Sequence, residues 1–410
     1  MKKIIALFLA LVCVACVLAS CGTSADTVTL YVYNWGEYIS DGSEGSLDVN
    51  AEFEKYCAEN ERIRALTGGK KVKVNYSTYA SNEDLYAKLE SNTVSYDVVV
   101  PSDYMVARLA KEGLIQKIDV SKIDNYQYIS SEFKNLYYDA NNEYSVPYTY
   151  GTVGIIYDTN KVSVKDAEEQ SWALMWNSNY KGDILQFNNP RDAFGTAMFY
   201  LGIDVNSENE QDWINAQRIL KSQKEVVQGY VMDEVFNKME SGSAAVAPYY
   251  AGDFLSMYED NNDLAFYYPK EGTNVFVDAM CVPSNAKSPD LALEYINFML
   301  SEQIAIANAE AICYASPNRL VYENADYIAA MSEIHENAMD ILYGYDDSKM
   351  AYFYDLPDAT RKLMNDLWEE LKIENDKGIA IYIIGGVIVV AVAVIALVVF
   401  ISKKKKAKAY

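Results

Sequence analysis

Histidine is nearly missing from this chain: His335 is the only one in 410 residues. A zinc site needs a second imidazole or a set of thiolates, and a Ser-His or Cys-His pair needs a histidine beside its nucleophile. Neither can be assembled here. His335 lies in MSEIHENAM, which reads as a helix, and takes a surface or structural place. The glycine-rich loop that cradles nucleotide phosphates is absent too. The acidic run EDNND, 259–263, lacks the glycine and the closing glutamate of a calcium-binding loop, and reads as a solvated turn. No catalytic set, metal or cofactor is implied.

Positive charge is the second shortage. Lys and Arg number 35 against 58 Asp and Glu, a formal net charge of −23. Lys2, Lys3 and five lysines after residue 402 lie in end segments that carry no acid, and removing these seven from −23 leaves −30 for the rest. Such a surface repels nucleic acid and anionic substrates, while a cleft of this sign concentrates cations.

The two ends explain where those lysines belong. MKKIIALFLALVCVACVLASCG joins two lysines to an apolar run and then to small residues, the layout of a secretory signal over 1–20. Leu18, Ala19, Ser20 and Cys21 resemble the bacterial lipobox, which implies cleavage before Cys21, lipid on its thiol, and a short tether over 21–27. At the other end 379–402 is uncharged throughout. At ~1.5 Å per residue a helix of that length spans about 36 Å, enough to cross a bilayer. The basic tail, 403–410, belongs on the cytoplasmic side by the positive-inside rule. The expected location is therefore the cell membrane, with the main domain on its extracytoplasmic face.

Cysteine is scarce once the leader is set aside. Cys57, Cys281 and Cys313 remain, an odd number at no metal-ligand spacing. Cys281 and Cys313 fit either a disulfide or two buried thiols.

What is present is an alternation of strand and helix patterns. TVTLYVYNW and KVKVNYSTY alternate β-branched and aromatic residues, EDLYAKLES follows as a helix capped by Ser81 or Asn82, and SYDVVVPSDYM is a short apolar strand stopped by Pro101. Such units imply an α/β fold with a parallel sheet, and ligands sit outside the carboxyl ends of its strands. That rule selects 35–38, 77–81 and 102–104. The charged stretch VNAEFEKYCAENERIRAL within 41–69 reads as a helical surface elaboration. A second group of elements starts near Val146, and roughly 355 exterior residues exceed one core, so two lobes are expected.

The motif order resembles one family: the spermidine/putrescine-binding proteins of ABC importers, with a two-lobed type II periplasmic-binding-protein fold and an interlobe cleft. The resemblance is carried by LYVYNWGEYI, VNYSTYASNEDLYAKL, YDVVVPSDYMVARLAKEGLIQKID, YSVPYTYGTVGIIYD, YYPKEGTNVFVDAMCVP, INFMLS and YASPN. It implies a first lobe of 28–147 and 279–318, a second of 148–278 and 319–375, and crossings near 144–152 and 268–278. It places Trp35, Glu37, Tyr38, Ser102, Tyr104 and Tyr314 at ligand positions on one side, and Asn189, Asp192, Tyr250, Asp253, Phe276 and Asp278 on the other.

The roles it implies follow from polyamine chemistry. Asp278 is the principal carboxylate for one ammonium, Asp192 and Glu37 serve the other end, and Asp253 supports. Trp35, Tyr38, Tyr104, Tyr250, Phe276 and Tyr314 box the methylenes, because ring faces cover CH₂ groups and attract cations. Spermidine binders of the family carry an acid where this chain has Asn189, and often tryptophan at Tyr250 and Phe276. The departures favour putrescine over spermidine. The implied partners are a polyamine, the permease with its ATPase, and the membrane, with the receptor a monomer. Another solute on the same fold, or a membrane-tethered sensor, are the alternatives.

Overall fold

The computed structural model describes residues 26–373. The signal segment, Cys21, the apolar stretch 379–402 and the basic tail lie outside the described residues. Among the described residues, no helix is long and apolar enough to cross a membrane.

Three strands open the chain's first sheet region. β1 (Thr27–Trp35) pairs in parallel with β2 (Lys71–Tyr79) over nine positions, from Thr27 with Lys71 to Trp35 with Tyr79, and β3 (Val98–Val99) lies on its other side. Three more form a second parallel group, β5 (Ile184–Phe187), β6 (Val227–Val231) and β7 (Val246–Tyr250). Between the groups run two long antiparallel strands, β4 (Ser145–Asp158) and β9 (Thr273–Cys281), giving the order β2-β1-β3-β9-β4-β7-β5-β6. The first half of β4 pairs with β9 and the second half with β7 and with β8 (Leu264–Tyr267). Two α/β lobes thus share two strands, the arrangement of a two-lobed periplasmic-binding fold.

β4 can serve both lobes because it is apolar nearly throughout, with only Tyr157 not buried. Its one proline, Pro147, cannot donate to the ladder, and the β4–β9 register shifts between Pro147 and Thr149.

The later chain returns to the second lobe. Helices Ala325–Ile334 and Ala338–Tyr343 pack on the helix Ala251–Asp260. Residues 358–373 are helical, with Trp368 edge-on to Tyr230 of β6 at 5.7 Å and Gln217 Nε2 donating to the Leu367 carbonyl at 2.8 Å.

Three expectations from sequence need correction. The charged stretch after residue 48 is no surface elaboration: α1 (Val49–Glu59) buries Val49, Phe53 and Cys57, with Phe53 5.0 Å from Tyr295 and 5.3 Å from Phe298. Asn60 ends that helix and caps a second one, Glu61–Leu66, by accepting from Ile63 N–H. MSEIHENAM is not one helix either, because the chain extends at His335. Cys281 and Cys313, left open as a disulfide, are separate buried thiols.

The first lobe is closed across the chain by Asp97. One of its oxygens accepts from Tyr31 N–H at 2.9 Å, and the other from Lys287 N–H at 2.9 Å and Ser288 N–H at 2.8 Å, just before the helix Pro289–Met299. Asp97 is buried, so removing it strands three amides. Asp97→Ala should destabilise the protein by about 2–4 kcal/mol, read as a lower midpoint in urea unfolding.

Candidate ligand-binding cleft

The exit of β1 is folded by its own side chains. Asn34 accepts from Trp35 N–H at 2.9 Å and donates to the Tyr38 carbonyl at 3.3 Å, which also receives the Tyr148 hydroxyl at 3.1 Å. Glu37 takes φ 45°, a left-handed turn that returns Tyr38 inward. Trp35 is fixed by donating Nε1–H to the Val100 carbonyl at 2.9 Å, and its ring lies 4.7 Å from that of Tyr79. At Gly36 a Cβ would fall 2.3 Å from Asp233 Oδ2, so the second lobe approaches the turn where this side chain is missing.

All twelve residues proposed from sequence line one cavity between the lobes. Trp35, Glu37, Tyr38, Ser102 and Tyr104 come from the first lobe's strand exits; Asn189, Asp192, Tyr250 and Asp253 from the second's; Phe276 and Asp278 from β9; Tyr314 from the loop beside β4. Space for two of the rings depends on glycine. A Cβ on Gly252 would lie 2.4 Å from Tyr314 Cδ2, and one on Gly151 2.8 Å from Phe276 Cζ.

Seven lining residues are acidic, Glu37, Glu83, Asp103, Asp192, Asp233, Asp253 and Asp278, and none is Lys, Arg or His. Among the described residues, none of the seven is in a salt bridge. Arg191, next to Asp192 in the sequence, does not line it. Its guanidinium is buried behind the wall, donating to the Val205 carbonyl at 2.8 Å and to Asn206 Oδ1 at 2.7 Å, 4.2 Å from the Phe353 ring centre.

Tyrosine hydroxyls hold the acids instead. Tyr38 donates to Asp278 Oδ2 at 2.6 Å and Tyr250 to Asp192 Oδ2 at 2.8 Å, while Tyr104 donates to Glu83 Oε1 at 3.2 Å. Asn189 adds a bond to Asp192 Oδ2 at 2.7 Å and caps the helix Pro190–Leu201. Asp278 Oδ1 is buried with no partner.

Burial dominates the ionisation of these groups. It pushes the Asp278 carboxyl up to about 6, against the nearby Ser102 and Tyr38 hydroxyls, which favour the anion. Asp103, sealed under the cleft with Tyr104 N–H and Val277 N–H on its two oxygens, is pushed up to about 8 by the same desolvation. Asp253 is raised well above the ordinary carboxylate range by burial, and further by Asp233, Glu37 and Asp278. Burial also raises Glu83 and Asp192, with each held back in part by the field of Arg191.

Reading by sequence missed Glu83, Asp233 and Asn274, and passed over Asp103 within the selected 102–104. The signal for two of them was available. Glu83 stands in the first turn of the helix after β2, two residues past 77–81, and Asp233 stands two residues past the end of β6, another strand exit.

Comparison with known proteins gives this cleft a family. The profile of the bacterial extracellular solute-binding proteins matches residues 95–346. The chain belongs to that family. Its members bind solutes for transport, so the protein is a receptor and not an enzyme. Residues 2–128 also match a family described as hypothetical lipoproteins (MG045 family). This solute-binding protein is 35% identical over 300 residues to the spermidine/putrescine-binding periplasmic protein of Salmonella typhimurium, 73% of this chain and 80% of that one. It is 29% identical over 371 residues to the putrescine-binding periplasmic protein SpuD of Pseudomonas aeruginosa, 86% and 94% of the two chains. A solved structure from Listeria monocytogenes, assigned to a spermidine/putrescine ABC transporter, superposes with TM-score 0.73 at 30% identity, covering 84% of this chain and 99% of that one.

The raised Asp278 carboxyl links pH to stability. Its folded value near 6 exceeds the ordinary 3.8, so the folded protein holds the proton longer, and stability is lost as pH rises between those values. Asp278→Asn removes this loss. Without ligand, its stability relative to the parent should improve by about 2 kcal/mol between pH 4.5 and pH 7.5, measured by denaturant unfolding at both.

Proposed function

We propose that the solute-binding protein captures a polyamine between its lobes and delivers it to an ABC permease whose ATPase drives uptake, with putrescine favoured over spermidine. The observation that carries this reading is a cleft with seven acids, no basic side chain and walls of aromatic rings. An ammonium is costly to bury unless carboxylates receive it, and its methylenes need apolar cover. Both are supplied by the lining, and the relatives named for spermidine and putrescine binding point the same way.

In this reading Asp278, with its unpartnered Oδ1, takes one ammonium, and Asp253 supports it. Asp192 takes the other. Glu37, exposed at the rim, acts on Asp253 and not on Asp192, so it belongs with the Asp278 end. Trp35, Tyr38, Tyr104, Tyr250, Phe276 and Tyr314 cover the chain between, and Ser102 steadies Asp278. The preference for putrescine rests on Asn189: its amide NH₂ donates to Asp192 and its oxygen caps a helix, so it offers nothing to a third ammonium. One observation favours spermidine instead, the carboxylate of Glu83 at the same end.

Calorimetric titration with putrescine, cadaverine, spermidine and spermine separates these readings. Putrescine should bind most tightly; no heat with any of the four removes the polyamine assignment, and tighter spermidine reverses the preference. Asp278→Asn should weaken binding by about 2–5 kcal/mol. Binding should also weaken as pH falls through about 6, because the Asp278 proton must leave before an ammonium is paired.

Anchoring completes the proposal. Lipid on Cys21 and a membrane helix over 379–402 hold a monomeric receptor beside its transporter on the extracytoplasmic face. Deleting residues 379–410 should lower uptake in cells at unchanged affinity; uptake equal to the parent's discards the second anchor.

A further inference from the structure

The acids of the cleft fall into two groups. Asp253 is raised by Asp233, Glu37 and Asp278, whereas Glu83 is raised by Asp192, and Asp192 is the one acid that raises Asp278. Glu83 and Asp192 therefore share one end of the cavity. Packing sorts the same way: the Tyr104 ring lies 5.9 Å from the Arg191 guanidinium and 6.4 Å from the Phe353 ring, and Phe353 shares a hollow with Asp192. Tyr104 engages Glu83 Oε1, and Tyr250 and Asn189 engage Asp192 Oδ2.

Those bonds leave Glu83 Oε2 and Asp192 Oδ1 without a donor from another residue. A third acceptor stands with them. Asn274, on β9, is 4% exposed, lines the cavity, and joins Asp192 and Phe353 in a smaller hollow behind it. Its Oδ1 is buried with no hydrogen-bond partner. A buried acceptor left open beside two carboxylates awaits a donor, and a primary ammonium brings three.

We propose that Glu83, Asn274 and Asp192 form the subsite for the far primary ammonium of the bound amine, and that Glu83 thereby sets the chain length the cleft prefers. This rests on the polyamine reading above. Fixed acceptors at two ends make affinity depend on the distance between ammoniums; with Asp278 alone holding one end, methylene number matters little. Glu83 stands at the second position of the helix Asn82–Glu90, whose N-terminal dipole favours its anion, so the subsite is preorganised to receive a cation.

The test is calorimetry of the purified protein and its Glu83→Gln and Asn274→Ala variants with 1,3-diaminopropane, putrescine and cadaverine, alongside thermal melting without ligand. In the parent, one length should bind at least 5-fold tighter than the others. Glu83→Gln should lose 10-fold or more for that diamine and bring the three within about 2-fold of each other, at a melting temperature no lower than the parent's. Asn274→Ala should do the same to a smaller degree. If the parent binds none of the three, the polyamine reading falls and the subsite with it. If the parent binds but Glu83→Gln keeps the same length profile, by no change or by equal losses throughout, the subsite is overturned while the polyamine reading stands.

Discussion

Carboxylates held together without a counter-ion are the constraint around which the rest of this molecule is arranged. Ionised side chains in a desolvated cleft repel one another, and the usual remedy, a lysine or arginine beside each, would fill the space a cationic solute needs. Phenol hydroxyls resolve the conflict. Tyr38, Tyr104 and Tyr250 each donate one hydrogen bond to an acid, fixing its position while adding no positive charge. With 35 tyrosines against 13 phenylalanines, the chain is equipped to build walls that pack like phenylalanine and also hold carboxylates.

The same constraint bears on how the lobes move. Glu83 and Tyr104 belong to the first lobe, and Asp192 and Tyr250 to the second, so these acid–phenol pairs survive opening intact. Contact across the cleft is made where bulk is withheld, as at Gly36 against the Asp233 carboxylate. In the proposed function, acids of both lobes face one another in the cleft, and a cation lying between them would make a closed form preferable. A ligand shifts such an equilibrium only by its differential affinity for the closed form. Here that difference has a physical source in the relief of like-charge repulsion.

Legibility in the sequence followed the range of the interactions. The strand exits at Trp35 and Ser102 were readable because alternation, turn residues and chain order are local signals, whereas Asp278, inside β9, was reached only through the family resemblance. Glu83 was quoted inside a recognised motif yet read as helix, since position in the first turn reports a cap as readily as a ligand. Asn274 gave no local sign, and Asp233, though it follows a strand, reaches the cleft only through the strand order β7-β5-β6. The break at Asn60 went unread for a related reason. Its backbone N–H bonds the Tyr56 carbonyl of the first helix while its side chain caps the second, and charged periodicity on either side runs through it undisturbed.

Arg191 looks misplaced in a site for cations, and its position explains why it is tolerated. Its two terminal nitrogens are spent on the Val205 and Tyr354 carbonyls and Asn206, with its face on Phe353, and it stays out of the cavity lining. Its field still reaches Asp192 and Glu83 and favours their ionised forms, whereas no cation acts on Asp253, which burial and three neighbouring acids drive toward the neutral form. The two ends of the cleft are therefore unequal before any ligand arrives. The end backed by Arg191 is the more ready to attract an ammonium, and the Asp253 end ionises as the second ammonium comes within reach. A single buried arginine, kept out of contact by carbonyls and a phenyl ring, gives an otherwise uniformly acidic cleft a direction.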